Sequence, residues 1–176
     1  KVTEANRRIE GAELEALTAI RHAFEQALGL KFEGDRGDHF FRSSLIQTLF
    51  YGVFSAWVMW SRKNRGRRDT RFNWHETPFY LRVPMMQVLY EQVASPSKLK
   101  PLELDEVLDW TGAALNRVNR PAFFEKFREE HAVQYFYEPF LEAFDPELRD
   151  QLGVWYTPPE VVKYTVERVD RVLREE

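Results

Sequence analysis

The chain has 176 residues, of which 44% are hydrophobic and 30% are charged. This length and apolar content suffice for one sizeable core or two small helical subdomains, and they argue against intrinsic disorder. Cysteine is absent, which excludes disulfide frameworks, thiolate nucleophiles and thiolate metal sites and agrees with a reducing cytoplasm. The net charge of -3 argues against a uniformly basic nucleic-acid-binding protein.

The amino terminus has no initiator methionine and no basic segment followed by an apolar run. This pattern favours an internal boundary of a larger multidomain protein over a signal peptide. The long apolar stretch at residues 45–60 is interrupted by polar side chains and is shorter than the ~18–20 residues of a membrane-spanning helix. We therefore expect a buried core helix there and no membrane partner.

The first predicted helix runs from Glu4 to Leu28, where apolar residues recur at helical spacing, and Gly29 ends it. Residues 31–38 carry two glycines among charges, which favours a turn. Ser43 or Ser44 then offers a cap for the apolar helix that reaches Trp60.

Prolines mark the boundaries in the middle of the chain. Residues 61–77 are polar and basic and are predicted to form a loop or a mobile edge. Pro78 can open the next helix, and Pro84 either kinks a helix over residues 79–93 or marks its start. Two further prolines among small polar residues predict a linker at residues 95–101.

Three more helical segments follow. A stripe of apolar residues from Leu104 to Val118 ends before Pro121, and residues 123–144 place aromatic side chains on one helical face. A short helix ends at Gly153, and residues 157–160 (Thr-Pro-Pro-Glu) combine a capping box with proline in the first turn of a final helix. No segment alternates like a strand, so we predict an all-α, multi-helix bundle or connector. The predicted units are a helical subdomain (1–94), the linker (95–101), an aromatic-rich helical subdomain (102–152) and a terminal segment (153–176).

The aromatic segment 135–146 and the segment Gly-Val-Trp-Tyr-Thr-Pro-Pro-Glu-Val-Val at 153–162 carry a family resemblance. They resemble the helical region and the turn called motif X that precede the catalytic domain of adenine-specific (N6) DNA methyltransferases. The similar enzymes are the type ISP and type IIG restriction-modification enzymes and related phage-defence methyltransferases. Here Trp155 replaces the commoner tyrosine. Residues 45–56 also resemble a packing helix of those enzymes, in which Gly52 would let another helix approach closely.

The resemblance implies a binding role for the turn before the last helix. Trp155, Tyr156, Thr157 and Pro158 would lie against the methionine part of S-adenosylmethionine once a Rossmann-like domain had folded around them. A helix amino terminus suits a carboxylate ligand, but two prolines remove amide donors and the capping box occupies others. A plain joint between two helices is the alternative interpretation.

The residues that such a methyltransferase needs for catalysis are missing from this sequence. It has no glycine-rich strand-to-helix turn for the cofactor and no Asn-Pro-Pro-Tyr or Asp-Pro-Pro-Tyr tetrad for the flipped adenine. We predict no catalytic residue here. The fragment alone is expected to be inactive and to bind no S-adenosylmethionine, whereas the full-length parent protein would bind S-adenosylmethionine as its cofactor.

Residues 62–71 hold six cations within ten residues and suit contact with DNA phosphates. The predicted DNA-binding residues are Arg62, Lys63, Arg65, Arg67, Arg68 and Arg71. A solvated surface loop is the alternative interpretation. The four histidines form no ligand pair with metal-binding spacing, so no metal site is predicted.

The functional hypothesis is a cytoplasmic helical connector of a restriction-modification or phage-defence DNA methyltransferase. Its partners would be DNA, a downstream methyltransferase domain and an upstream nuclease or translocase domain. The rival hypothesis is a helical protein-interaction module without nucleic-acid or cofactor role, in which the aromatic stripe at residues 123–144 is the partner-binding surface.

Overall fold

The computed structural model describes residues 1–10, 14–67, 69–82, 84–127, 145, 157 and 159–175. These residues form α-helices, two short 3₁₀-helices and connecting segments, and no strand occurs among them, which confirms the all-α prediction. The helices are α1 (Val2–Glu10), α2 (Leu14–Leu28), α3 (Gly34–Lys63), α4 (Thr77–Tyr80), α5 (Pro84–Val93), α6 (Pro96–Leu99), α7 (Leu104–Leu115), α8 (Arg120–Lys126) and α9 (Pro159–Glu175). The 3₁₀-helices are Trp74–Glu76 and Lys100–Leu102.

The chain divides into two compact units, Lys1–Arg120 and Pro121–Glu176. The division differs from the predicted linker at residues 95–101. That segment is helical from Pro96 to Leu102, and it lies within the first unit because Leu99 and Leu102 are buried. Proline is tolerated in a first helical turn, where its missing N–H has no partner to lose, so two prolines here begin short helices instead of breaking them.

Helix α3 is the centre of the first unit and packs against α1, α4, α5 and α7. Its 30 residues make it about 45 Å long, and fourteen of them are buried, on several sides of the helix. The predicted burial of this helix on several sides is confirmed. Gly52 on α3 faces Tyr90 of α5, and a Cβ atom at Gly52 would lie 2.5 Å from Tyr90 Cδ2. The close approach expected at Gly52 is therefore present.

Helix α3 begins at Gly34, nine residues before the predicted cap at Ser43, so the expected turn at residues 31–38 is partly helical. Gly37 lies in the first turn with its Cα against the Phe32 backbone, where an added Cβ would be 2.6 Å from the Phe32 carbonyl carbon. The ring of Phe32 then packs on Phe41, with centroids 5.4 Å apart. Glycine at residue 37 thus serves close backbone packing and does not end the helix.

Glycine and proline mark several helix boundaries where the sequence predicts them. Gly29 follows α2 with φ of 66°, the left-handed conformation of a glycine helix stop. Pro78 occupies the first turn of α4, and α5 begins at Pro84. The region predicted as one helix from Glu4 to Leu28 is described as α1 and α2, with residues 11–13 outside the described residues.

A buried carboxylate joins the end of α2 to the start of α3. Glu25 accepts hydrogen bonds from Lys31 Nζ at 2.9 Å and from the Phe32 amide at 3.1 Å. The Lys31 hydrogen bond, with that of Phe32, lowers the pKa of Glu25. The carboxylate thereby fixes the connection that follows Gly29.

In the second unit, the described elements are most of α8, the buried residue Asp145 and helix α9. The rings of Phe123, Phe124 and Phe127 pack together, and the Phe123 and Phe127 rings are stacked at 4.8 Å. The rest of the predicted aromatic helix, residues 128–144, lies outside the described residues.

Candidate nucleic-acid interface

The basic loop, residues 62–73, begins in the last turn of α3. The side chain and the backbone amide of Asn64 both donate to the Trp60 carbonyl, at 2.9 and 3.0 Å. Gly66 follows with φ of 81°, a conformation that residues with a Cβ rarely adopt. The chain therefore leaves the helix through a defined turn, with Arg62 and Lys63 still in the helix.

Asn116 holds the far end of the loop. Its side-chain amide donates to the Phe72 carbonyl at 2.8 Å, and its Oδ1 accepts from the Phe72 amide at 2.8 Å. The Phe72 ring is buried and packs on Trp60, with centroids 5.8 Å apart. One side chain just after α7 thus satisfies both backbone groups of a residue 44 positions earlier.

Arg120 supports the middle of the loop. Its guanidinium lies 5.1 Å from the centre of the Trp60 ring and donates to the backbone carbonyls of Asn64 and Arg67. Cation–π stacking and hydrogen bonding to carbonyls both suit the planar guanidinium. The loop is therefore held by the Arg120 side chain at its middle and by the Asn116 side chain at its end.

The cations of the loop differ in exposure. Lys63, Arg65, Arg67 and Arg71 are exposed, whereas Arg62 is half-buried. Lys63 Nζ lies 5.9 Å from the centre of the Tyr80 ring.

Arg67 and Arg71 make no side-chain hydrogen bond or ion pair with another described residue. Four of the six predicted DNA-binding cations thus face solvent from one loop. Arg68 lies outside the described residues.

An open groove of about 480 Å³ lies beside the loop. Arg71 and Arg117, both exposed, are among its lining residues, and Trp74 and Gly112 contribute buried surface. Trp74 is fixed by a hydrogen bond from its indole Nε1 to Asp109 Oδ1 at 2.6 Å and by stacking against His75 at 3.8 Å. The remaining lining residues are Phe72, Asn73, Asp109, Ala113 and Asn116.

Sequence reasoning did not single out Arg117, Asn116 or Arg120. Each stands at or after the end of α7, where isolated polar residues are common and carry no binding signal of their own. Their relation to the basic loop depends on contacts across 44 to 56 residues of chain. No spacing pattern in one sequence contains such contacts.

Of the predicted cofactor-binding residues, only Thr157 belongs to the described residues, and it is exposed and outside regular structure. Trp155, Tyr156 and Pro158 lie outside the described residues. Helix α9 begins at Pro159, within the predicted capping box at residues 157–160. The contact of these four residues with S-adenosylmethionine remains a prediction.

Helix α9 exposes a long apolar face. Val162, Val166, Val169 and Leu173 follow one another at intervals of four, three and four residues, and each is about half exposed or more. Val161, Tyr164 and Val172 extend this surface. A stripe at such spacing is typical of a helix that packs against another surface.

Among the described residues, no group of three His, Asp or Glu side chains is placed to hold a metal ion. None of the described helices combines the length and apolar content needed to cross a membrane. The chain matches no protein-family model, no curated protein and no solved structure in the comparisons made with each.

Proposed function

We propose that this chain is a cytoplasmic helical connector of an adenine-N6 DNA methyltransferase in a restriction-modification or phage-defence system. In this proposal the first unit contacts the DNA backbone through the basic loop, and the second unit leads into the methylating domain. The chain by itself does not catalyse methyl transfer, because the cofactor turn and the adenine-binding tetrad belong to the downstream domain.

The observation that carries the DNA contact is the fixed presentation of exposed cations. Asn116 and Arg120 hold the backbone of the basic loop, while Arg65, Arg67 and Arg71 extend into solvent. A loop already ordered in the free protein loses less conformational entropy when it binds. Guanidinium groups also match the geometry of phosphate oxygens. The local charge thus supports phosphate contact although the chain as a whole is acidic.

The apolar face of α9 supports the second part of the proposal. A helix with several half-exposed valines is stable in a whole protein when another surface covers them. In the resembling enzymes the corresponding helix belongs to the domain that binds S-adenosylmethionine. We propose that a downstream methyltransferase domain covers this face, and that Trp155, Tyr156, Thr157 and Pro158 form one wall of the donor pocket.

The same face of α9 also favours the rival function, a protein-interaction module. The coding sequence of the parent protein distinguishes the two. A connector requires a glycine-rich cofactor turn and a later Pro-Pro-Tyr or Pro-Pro-Phe tetrad within roughly one further domain of the chain. If neither motif follows, the interaction module becomes the better account.

The DNA contact is tested with Arg65→Ala/Arg67→Ala, which leaves the loop backbone and its hydrogen bonds to Arg120 in place. The matched control is Arg36→Ala/Lys100→Ala, which removes two exposed cations outside the loop. Affinity for a labelled DNA duplex is measured by fluorescence anisotropy over a range of salt concentrations. We expect the loop variant to reduce the slope of log affinity against log salt by about 1.8, since each phosphate contact contributes about 0.9.

The control should keep the slope of the unaltered chain. An unchanged slope in the loop variant, or an equal decrease in both variants, contradicts a specific contact between the loop and the DNA backbone. Circular dichroism of each variant checks that the helical content is retained.

A further inference from the structure

We propose that the DNA-binding surface extends from the basic loop into the groove between residues 71–74 and the end of α7, where Arg71 and Arg117 bind one nucleotide unit of a DNA strand by its phosphate. This inference rests on the proposed DNA contact and adds Arg117, which lies outside the predicted basic segment.

The groove is a built feature of the fold. Trp74 is fixed by its hydrogen bond to Asp109 at 2.6 Å. Opposite it, α7 contributes Gly112, which has no side chain, and Ala113, whose side chain is a single methyl group, so the space stays open. A Cβ atom at Gly112 would lie 3.7 Å from Trp74 Cδ1, so the α7 backbone lies close beside the indole. The walls therefore need no rearrangement to admit a ligand.

The free charges of the groove favour an anion. Among the described residues that line it, Asp109 is the only acidic one, and that carboxylate already accepts the Trp74 N–H. The end of α7 is also partly neutralised, since the Gly112 and Ala114 carbonyls accept hydrogen bonds from the amides of Asn116 and Arg117. The guanidinium groups of Arg71 and Arg117 are both exposed. Two guanidinium groups beside one groove can donate hydrogen bonds to the oxygens of a phosphate group.

The size of the groove favours a nucleotide unit over a bare phosphate ion. Its volume of about 480 Å³ falls in the range of sites that hold small organic ligands, roughly 300–1,000 Å³. A phosphate group with its attached sugar fits a volume of this size. The side-chain amide of Asn73 adds a polar group to the lining. Because Arg71 belongs to both the loop and the groove, the two surfaces adjoin at this residue.

The test uses four variants of the full chain: Arg71→Ala, Arg117→Ala, Arg117→Lys and Ala113→Leu. The labelled duplex and the salt series are those used for the loop variant, with Arg36→Ala as the control. Arg71→Ala and Arg117→Ala should each reduce the salt slope by about 0.9 and weaken binding roughly five- to tenfold at about 0.1 M salt. Arg117→Lys should restore the slope because it keeps the charge.

Ala113→Leu blocks the groove without changing any charge. Ala113 is exposed on α7 and leucine is a good helix former, so the variant should fold. We expect it to weaken DNA binding and to reduce the slope as Arg117→Ala does. Native binding by Ala113→Leu would overturn the groove proposal even if Arg117→Ala had an effect.

The two proposals fail separately. If Arg65→Ala/Arg67→Ala reduces the slope and Arg117→Ala does not, the groove proposal is overturned and the loop contact stands. If only the groove variants reduce the slope, the groove proposal stands and the contact of Arg65 and Arg67 with DNA is overturned. Unchanged slopes in all variants overturn both.

Discussion

At the scale of single residues, Asn116 and Arg120 decide the shape of the basic loop. Asn116 pairs with both backbone groups of Phe72, and Arg120 donates to the Asn64 and Arg67 carbonyls in the turn after α3. Neither residue belongs to the basic segment itself. The positions of the cations in the loop therefore depend on two side chains that lie outside the basic segment and cannot be predicted from it.

Replacing Asn116 with alanine should lower the free energy of unfolding by about 1–3 kcal/mol, because the backbone N–H and C=O of Phe72 both lose their partner in a partly buried site. Asn116→Asp should also destabilise the protein, since its carboxylate still accepts from the Phe72 amide but cannot donate to the Phe72 carbonyl. Urea denaturation followed by circular dichroism measures both changes. Equal stability of Asn116→Ala and the unaltered chain would mean that this pair does not hold the loop.

The contact between Gly52 and Tyr90 gives a second prediction at this scale. Gly52→Ala should destabilise the protein by about 1–3 kcal/mol, because the new methyl group would overlap the buried ring of Tyr90. Alanine normally stabilises a helix relative to glycine by about 1 kcal/mol, so a loss of stability isolates the steric effect. Ser55→Ala, at an exposed position of the same helix, should leave stability unchanged or raise it by a few tenths of a kcal/mol in the same urea titration, because alanine also has a higher helix propensity than serine.

At the scale of elements, the sequence predicts best where a local signal decides. Gly29 ends α2, Pro84 begins α5 and α9 starts within the Thr157–Glu160 pattern, all as expected from backbone preferences alone. The predictions fail where packing overrides such preferences. The glycines of residues 31–38 favour a turn, but the 30-residue helix α3 begins at Gly34 and includes Gly37, which allows the Phe32 backbone to lie close to the first helical turn.

The segment 95–101 shows the same override. Its prolines and small residues are typical of a linker, yet Leu99 and Leu102 bury their side chains and hold the segment in the first unit. The composition of a short segment does not show whether its leucines will be buried by residues that are distant in the sequence. The same limit applies to the candidate site. The six cations can be predicted from the sequence, whereas the groove and the place of Arg117 in it depend on tertiary contacts.

At the scale of the whole molecule, the two units have different surfaces. The first unit presents a fixed basic loop on a buried helical core, and the second unit carries α9 with its exposed apolar face. This difference between the surfaces of the two units agrees with the proposed connector, in which one unit contacts DNA and the other joins a catalytic domain. Both the resemblance in residues 153–162 and the apolar face of α9 support the joining role.

The donor pocket gives the prediction at this scale. The chain of 176 residues should bind S-adenosylmethionine negligibly, and a protein extended through the next domain should bind it clearly. Tyr156→Ala should abolish that binding in the extended protein, because the resemblance places this residue against the methionine part of the donor. Isothermal calorimetry compares the three proteins. Tight binding by the short chain, or unchanged binding by the extended Tyr156→Ala variant, would contradict the pocket assignment.

The most direct test of the DNA contact is a nuclear magnetic resonance titration of the unaltered, ¹⁵N-labelled chain with a short DNA duplex. We predict that the largest amide shifts fall in the basic loop, residues 62–73, and near Arg117, and that they diminish as salt is added. Shifts confined to α9, or no shifts at a duplex concentration that saturates an anisotropy titration, would contradict the account.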